Sequence, residues 1–371
     1  MISDKLYQYI ALPLIFRIFK DKEEEAHRFF MSLGVAYEQV PLLRSGLKYL
    51  CRYDHPLLAQ KIAGLYFPNP IGLGGGFDKC CEMYNLKYEC GFGFGEFGSV
   101  TALPHPGNPG RRLMRLPKDK SIIVYLGLNN HGREATFHDF MKQKRSRSVP
   151  IPGGINIAKT NTEQSLKEGI ADYVLTINAF ESEVDYITIN LSCPNATGGL
   201  QFCETPENAK MLFDAFRNDC RHNKPYFLKL DPDMPYKNVR TLIDVVTGYE
   251  FIKGYIISNL TRNRDELKTS GYVLAQMPNG GIGGPAVAKK SNAMVAFVRD
   301  NAPRETVIIG LGGVSSAEHV IEKMEAGANL VQMVTGLIFY SPTRLKRINR
   351  DLVKYLKKKG LKDIKQLTRY V

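Results

Sequence analysis

No run of eighteen or more apolar residues occurs in this sequence, so no membrane-spanning helix is expected. The amino-terminal stretch lacks the small-residue cleavage site behind a basic region that a secretory leader needs, so no targeting peptide is read there. The seven cysteines (Cys51, Cys80, Cys81, Cys90, Cys193, Cys203, Cys220) contain no CxxC pair. Odd in number and irregularly spaced, they signal neither a zinc site nor a disulfide framework; no metal is expected, and a reducing compartment fits. The phosphate-loop pattern ending in Gly-Lys-Ser/Thr is missing, which disfavours ATP. No basic motif is interleaved with aromatics, so nucleic acid is not an expected partner. What is present is ordinary for a folded chain: 44% hydrophobic and 23% charged residues over 371 positions. That length suits one large barrel with an appendage.

The formal charge of +13 is concentrated at one end. Ser341 to Val371 hold eleven Lys or Arg against two Asp, a net of +9, centred on Lys357-Lys358-Lys359. Such a stretch reads as the solvated face of terminal helices or as one drawn to an anionic membrane surface. At the other end, the apolar segment between Lys5 and Lys20 is too short to span a bilayer, and Pro13 should break or kink it. Glu23-Glu24-Glu25 then open a second helical pattern with Ala26, Phe29, Phe30 and Leu33 on one face, punctuated by Gly34 and Pro41. Residues 1–52 therefore read as an amphipathic two-helix extension that packs on the barrel or lies in a membrane interface.

Residues 53–371 read as the second domain, and from Pro70 onward the chain repeats one unit: a short β-rich apolar run, a polar or Gly-rich loop, then helical periodicity. The runs are Pro70–Leu73, Gly95–Gly98, Gly154–Ile157, Tyr186–Asn190, Tyr226–Leu230, Tyr255–Ser258, Val307–Gly310 and Leu330–Met333. Short, almost wholly apolar runs suit parallel strands buried on both faces, and eight of them suggest a closed (β/α)₈ TIM barrel, with a doubly wound open sheet as the alternative. Lys79, Ser99, Asn156, Asn190, Lys229 and Ser258-Asn259 recur at or just after strand ends. In a barrel those ends share one mouth, where catalysis is placed.

Gly310-Leu311-Gly312-Gly313 follows the seventh run and Thr335-Gly336 the eighth, the places where bare backbone N–H groups bind phosphate in many barrels. Asn279 to Gly284 offer more such backbone just upstream. A planar, phosphate-bearing cofactor is the natural occupant. In Asn190-Leu191-Ser192-Cys193-Pro194-Asn195, two carboxamides flank a thiol, a set suited to a flat ligand rich in carbonyl and N–H groups. Cys193 reads either as a small buried hydrophobe or as a general base whose thiolate Lys79 and Lys229 favour.

These motifs resemble the dihydroorotate dehydrogenase family along nearly the whole chain. Asn69-Pro70-Ile71-Gly72-Leu73-Gly74-Gly75-Gly76-Phe77-Asp78-Lys79 resembles its flavin loop, and Gly91 to Thr101 continues the likeness. The resemblance implies FMN held at Gly74, Gly75, Lys79, Ser99, Asn156, Asn190, Lys229, Ser258, Gly284, Gly313, Val334 and Thr335. It implies dihydroorotate or orotate held at Lys79, Gly127, Asn190, Asn195 and Asn259, with Cys193 as base. Pro106-Gly107-Asn108-Pro109, Arg112 and Arg115 are similar to the quinone-using, membrane-bound class 2, and so is Glu25-Ala26-His27-Arg28-Phe29. His27 and Arg115 would then line a quinone tunnel, on a peripheral membrane protein at the cytoplasmic face of the cell membrane. The implied chemistry is removal of the C5 proton of dihydroorotate and transfer of the C6 hydride to FMN, then reduction of a quinone, within pyrimidine biosynthesis.

Three positions depart from class 2. Cys193 replaces its Ser base, as in the soluble class 1. Val124 stands where an Asn bonds orotate, and Val334 where a Tyr lies beside the flavin. The departures keep other readings open: an FMN barrel acting on a different pyrimidine or enone, a fumarate- or NAD-linked dihydroorotate dehydrogenase, or a flavin-binding protein without turnover.

Overall fold

A computed structural model describes residues 4–197, 202 and 205–369, leaving Cys203 outside. The eight apolar runs become β3 (Ile71–Leu73), β4 (Phe94–Val100), β7 (Gly153–Ile157), β8 (Tyr186–Asn190), β9 (Tyr226–Leu230), β10 (Ile252–Ile257), β12 (Val307–Leu311) and β13 (Leu330–Met333). They close on one another in the order β10-β12-β13-β3-β4-β7-β8-β9, every barrel pairing being parallel, so the open sheet is set aside. Strands buried along nearly their whole length, with Lys253 of β10 the exposed exception, leave little room for polar side chains except inside the barrel or at its rim.

Alternation along each strand builds two cores. Ile155, Ile187, Leu228, Ile257 and Ile308 point outward onto the helices. Phe94, Tyr186, Phe227, Ile256, Ile309 and Leu330 point inward and fill the barrel. A hairpin of β1 (Gln60–Ile62) and β2 (Leu65–Phe67) joins this inner plug, with Phe67 edge-on to Phe94 at 5.2 Å. With the interior filled, the opposite end of the barrel carries the open space.

Two additions shape that end. An antiparallel sheet of β5 (Leu113–Leu116), β6 (Ser121–Val124) and β11 (Gly281–Gly283) sets Val124 opposite both Leu113 and Gly281. The second is the amino-terminal extension. Its first helical stretch runs from Asp4 to Ile18 and continues past Pro13, because a wide π turn over Tyr7–Ala11 shifts the carbonyls that the proline ring would meet. The next helix, Glu23–Gln39, passes straight through Gly34. A Cβ there would fall 1.9 Å from Met83 Sδ, so this glycine serves close approach to the barrel rather than helix termination. A third helix, Pro41–Cys51, starts on a proline that needs no N–H partner.

Arginines tie the extension down. Arg112 clamps Glu24 through two bonds of 3.0 and 2.8 Å, Arg111 holds Asp21 and Glu23 at 2.9 Å each, and Arg115 donates to the Phe19 carbonyl. At the other edge Asp4 accepts from Ser341, Arg344 and Arg347. These last two begin the basic helix Arg344–Lys359. Lys357-Lys358-Lys359 end it, on the order of 20 Å away at 1.5 Å per residue.

Candidate active site

The ends of the barrel strands, the β5–β6–β11 sheet and the extension enclose one cavity of about 610 Å³. Its polar end is built on β8 and the loop that follows. Asn190 Nδ2 donates to Ser99 Oγ at 3.0 Å, and Ser99 Oγ in turn bonds Asn156 Oδ1. Asn259 Nδ2 donates to Asn190 Oδ1 at 3.1 Å and to the Ser192 carbonyl at 3.0 Å. Asn195 Nδ2 is held by the Val124 carbonyl at 2.9 Å, while its Oδ1 is buried with no hydrogen-bond partner among the described residues. The network thus fixes which atom each carboxamide can offer. Asn195 is left with an acceptor for a ligand N–H.

Lys79 and Lys229 lie at the same end, Lys79 half-buried and Lys229 buried. Burial pushes the Lys79 ammonium down to about 8, with Glu24 opposing and Arg112 reinforcing the shift. Lys229 is likewise lowered by burial against the pull of Glu96 and Cys193. Cys193 moves the other way from the sequence expectation. Burial raises its thiol, and neither the Asn195 N–H nor Lys229 offsets that, so the resting group is the protonated thiol.

Bare backbone forms the wall opposite. Gly284, Gly312 and Gly313 have φ of +106°, +117° and +77°, values that L side chains rarely adopt. At Gly313 a Cβ would also fall 2.5 Å from that of Ala288. Thr335 and Val334 complete this side, and Gly75, Ser99, Ser258 and Gly127 also line the cavity. Gly74 and Asn156 stand immediately behind the wall: a Cβ on Gly74 would meet Val334 at 2.9 Å, and Asn156 bridges Ser99 to Glu96.

From the polar end the cavity continues between the extension's helices, lined by Ile15, Phe16, Ala26, Phe30 and Leu33. His27 and Arg115 border this channel. Burial, helped by the Lys79 charge, drives His27 down to about 4, so it is neutral at ordinary pH; its ring stands edge-on to Phe77 at 5.2 Å. Arg115 lies over the Phe16 ring at 4.4 Å and 3.7 Å from Glu23, bracing the two helices that form the channel.

Two residues escaped the sequence reading. Glu96, fully buried inside the barrel, accepts from the Gly75 N–H at 2.9 Å, Asn156 at 3.1 Å and Thr188 at 2.6 Å, and so holds the glycine loop in place. A lone carboxylate within an apolar run was the available signal. Leu260 lines the cavity beside Asn259, and nothing in its local sequence marks it.

Comparison with known proteins agrees along the chain. A family model described as dihydroorotate dehydrogenase matches residues 57–356. A dihydroorotate dehydrogenase (quinone) from Cyanothece sp. is 33% identical, covering 98% of this chain and 99% of its own. Its counterpart from Christiangramia forsetii is 34% identical over 94% and 99%. Among solved structures, DHODH in complex with ferulenol from Eimeria tenella superposes with a TM-score of 0.84 at 25% identity, covering 96% of this chain and 98% of that one.

Proposed function

The chain belongs to the dihydroorotate dehydrogenase family, and from that premise we propose that it oxidises dihydroorotate to orotate in pyrimidine biosynthesis, with FMN as its redox group and a quinone as acceptor. The observation that carries this reading is the single cavity joining a carboxamide-lined end at Cys193 to an apolar channel through the extension. One end suits a small polar ring and the other a lipophilic oxidant.

The residues present fit a flavin mononucleotide. Gly284, Gly312, Gly313 and Thr335 offer unobstructed backbone for its phosphate, while Lys79, Lys229, Ser99, Asn190 and Ser258 offer donors for the polar edge of its ring. Bound there, FMN supplies the hydride acceptor and the route for electrons to the quinone, which no side chain provides. The protein supplies the rest. Lys79 pairs with the substrate carboxylate, Asn190, Asn195 and Asn259 hold the ring, and Cys193 Sγ takes the C5 proton once its thiol has ionised. Val124 withholds one carboxamide from the substrate, a loss of roughly 1–3 kcal/mol if the ligand atom is left unpaired. His27 and Arg115 stand beside the quinone path.

Peripheral association with a bilayer follows from the same reading. No helix among the described residues is long and apolar enough to cross a membrane. The extension nevertheless exposes Tyr9, Ile10, Leu14, Ile18, Leu42 and Tyr49, more apolar surface than scattered residues account for. Lys357-Lys358-Lys359, a helix length from the extension, fit a solvated end better than a lipid contact.

Steady-state turnover tests the proposal. Purified protein given dihydroorotate and a short-chain quinone should form orotate and quinol in equal amounts. Turnover with fumarate or NAD but not with quinone would reject the acceptor, and no orotate with any acceptor would reject the substrate.

A further inference from the structure

Behind the glycine loop lies a buried cation that the proposed reaction does not use. Lys323, in the helix Ala317–Glu325, is 1% exposed and forms no ion pair among the described residues. Its Nζ donates to Ser291 Oγ and to Asn292 Oδ1, each at 2.8 Å. The barrel makes room for it: a Cβ on Gly310 of β12 would fall 2.4 Å from Lys323 Cδ. Helix side chains lean toward the helix start, which here faces the loop after β12. Ser291 carries the contact onward by donating to the Leu311 carbonyl at 2.7 Å, which also accepts from the Ser258 N–H at 2.8 Å. In a trans peptide the N–H lies opposite the carbonyl, and that N–H belongs to Gly312. Hydrogen bonds at the carbonyl polarise the unit and make the Gly312 N–H a stronger donor.

We infer that Lys323 is a positioning residue for the cofactor phosphate, acting through Ser291 and the Leu311–Gly312 peptide and by its own charge behind the loop. The inference rests on the reading that the flavin phosphate occupies the Gly312–Gly313 turn. An ammonium without a carboxylate partner is costly to bury, and a dianion at that turn is the compensation the site provides. Burial pushes Lys323 down to about 7, so a neighbouring anion decides whether it keeps its charge; among the described residues Glu322 pulls it back up.

The test compares FMN with riboflavin, which lacks the phosphate, in binding to the full-length protein stripped of flavin and followed by flavin fluorescence. Wild type should bind FMN much more tightly than riboflavin. Lys323→Met, close in shape but uncharged, should weaken FMN binding by roughly tenfold or more, as expected for charges several ångströms apart inside a protein, and leave riboflavin affinity nearly unchanged. Lys323→Gln keeps polar contact with Ser291 and should behave the same way if the methionine variant folds poorly. Ser291→Ala, which retains the charge and cuts the relay, should show a smaller loss confined to FMN. Equal losses for FMN and riboflavin would reduce Lys323 to a structural role, and unchanged FMN affinity would remove it from phosphate binding. Wild type that binds the two flavins equally would overturn the phosphate placement itself, separately from any variant.

Discussion

At the scale of single residues, the site is governed by how far burial outweighs neighbouring charge. Cys193 illustrates this: Lys229 and the Asn195 N–H both favour its thiolate, yet enclosure raises the thiol above its ordinary range. A base that rests in its protonated form gives activity that climbs with pH. Flavin reduction by dihydroorotate should therefore still be rising at alkaline pH, and Cys193→Ala should slow it by about 10²- to 10⁴-fold, the usual contribution of a positioned base. Stopped-flow absorbance across the pH range measures both; a flat profile or unimpaired Cys193→Ala would take the base role from this residue. The sequence placed the thiol between two asparagines and offered Lys79 and Lys229 as its cationic neighbours, of which Lys229 acts on it. It could not reveal the sign of the shift, because enclosure is set by how segments distant in the chain pack around the thiol. For the same reason Asn195 was legible as a carboxamide at the barrel mouth, but the capture of its amide by the Val124 carbonyl was not.

At the scale of elements, what could be read was what is local. Each barrel strand is one apolar run, six of them ending near a polar residue and the last two in Gly312-Gly313 and Thr335-Gly336, so all eight and their mouth-facing ends were visible in the chain. The β5–β6–β11 sheet was not, since β11 pairs with β6 from more than 150 residues away and only three residues long. Gly34 misled for a related reason: its role lies in the approach of Met83, not in its own helix. The Glu23–Gln39 helix carries a prediction of its own. Ala26 is small and buried where the channel meets the barrel, so Ala26→Trp should obstruct passage without touching the polar end. Reoxidation of reduced enzyme by quinone should slow by about tenfold or more, while bleaching by dihydroorotate is retained. Rapid mixing with each substrate separately reads the two rates. Equal slowing of both would place Ala26 in the structural core of the site instead of on the quinone path.

For the whole molecule, the proposed function has the architecture keep two incompatible reactants apart around one redox group. The filled lower barrel leaves a single open end. On the proposed reading the carboxamide network takes a small polar ring there, and the arginine-clamped extension converts the remaining opening into an apolar channel. Exposed tyrosine, leucine and isoleucine around that extension are where a lipid-dissolved oxidant would be collected. The most direct test of this division is made on the wild-type protein without oxygen. Dihydroorotate is added while the flavin absorbance is followed, and a soluble quinone is added once the signal is steady. The account predicts rapid bleaching on the first addition and full recovery on the second. A flavin that stays oxidised after dihydroorotate, or one that bleaches and is not restored by quinone, would contradict it.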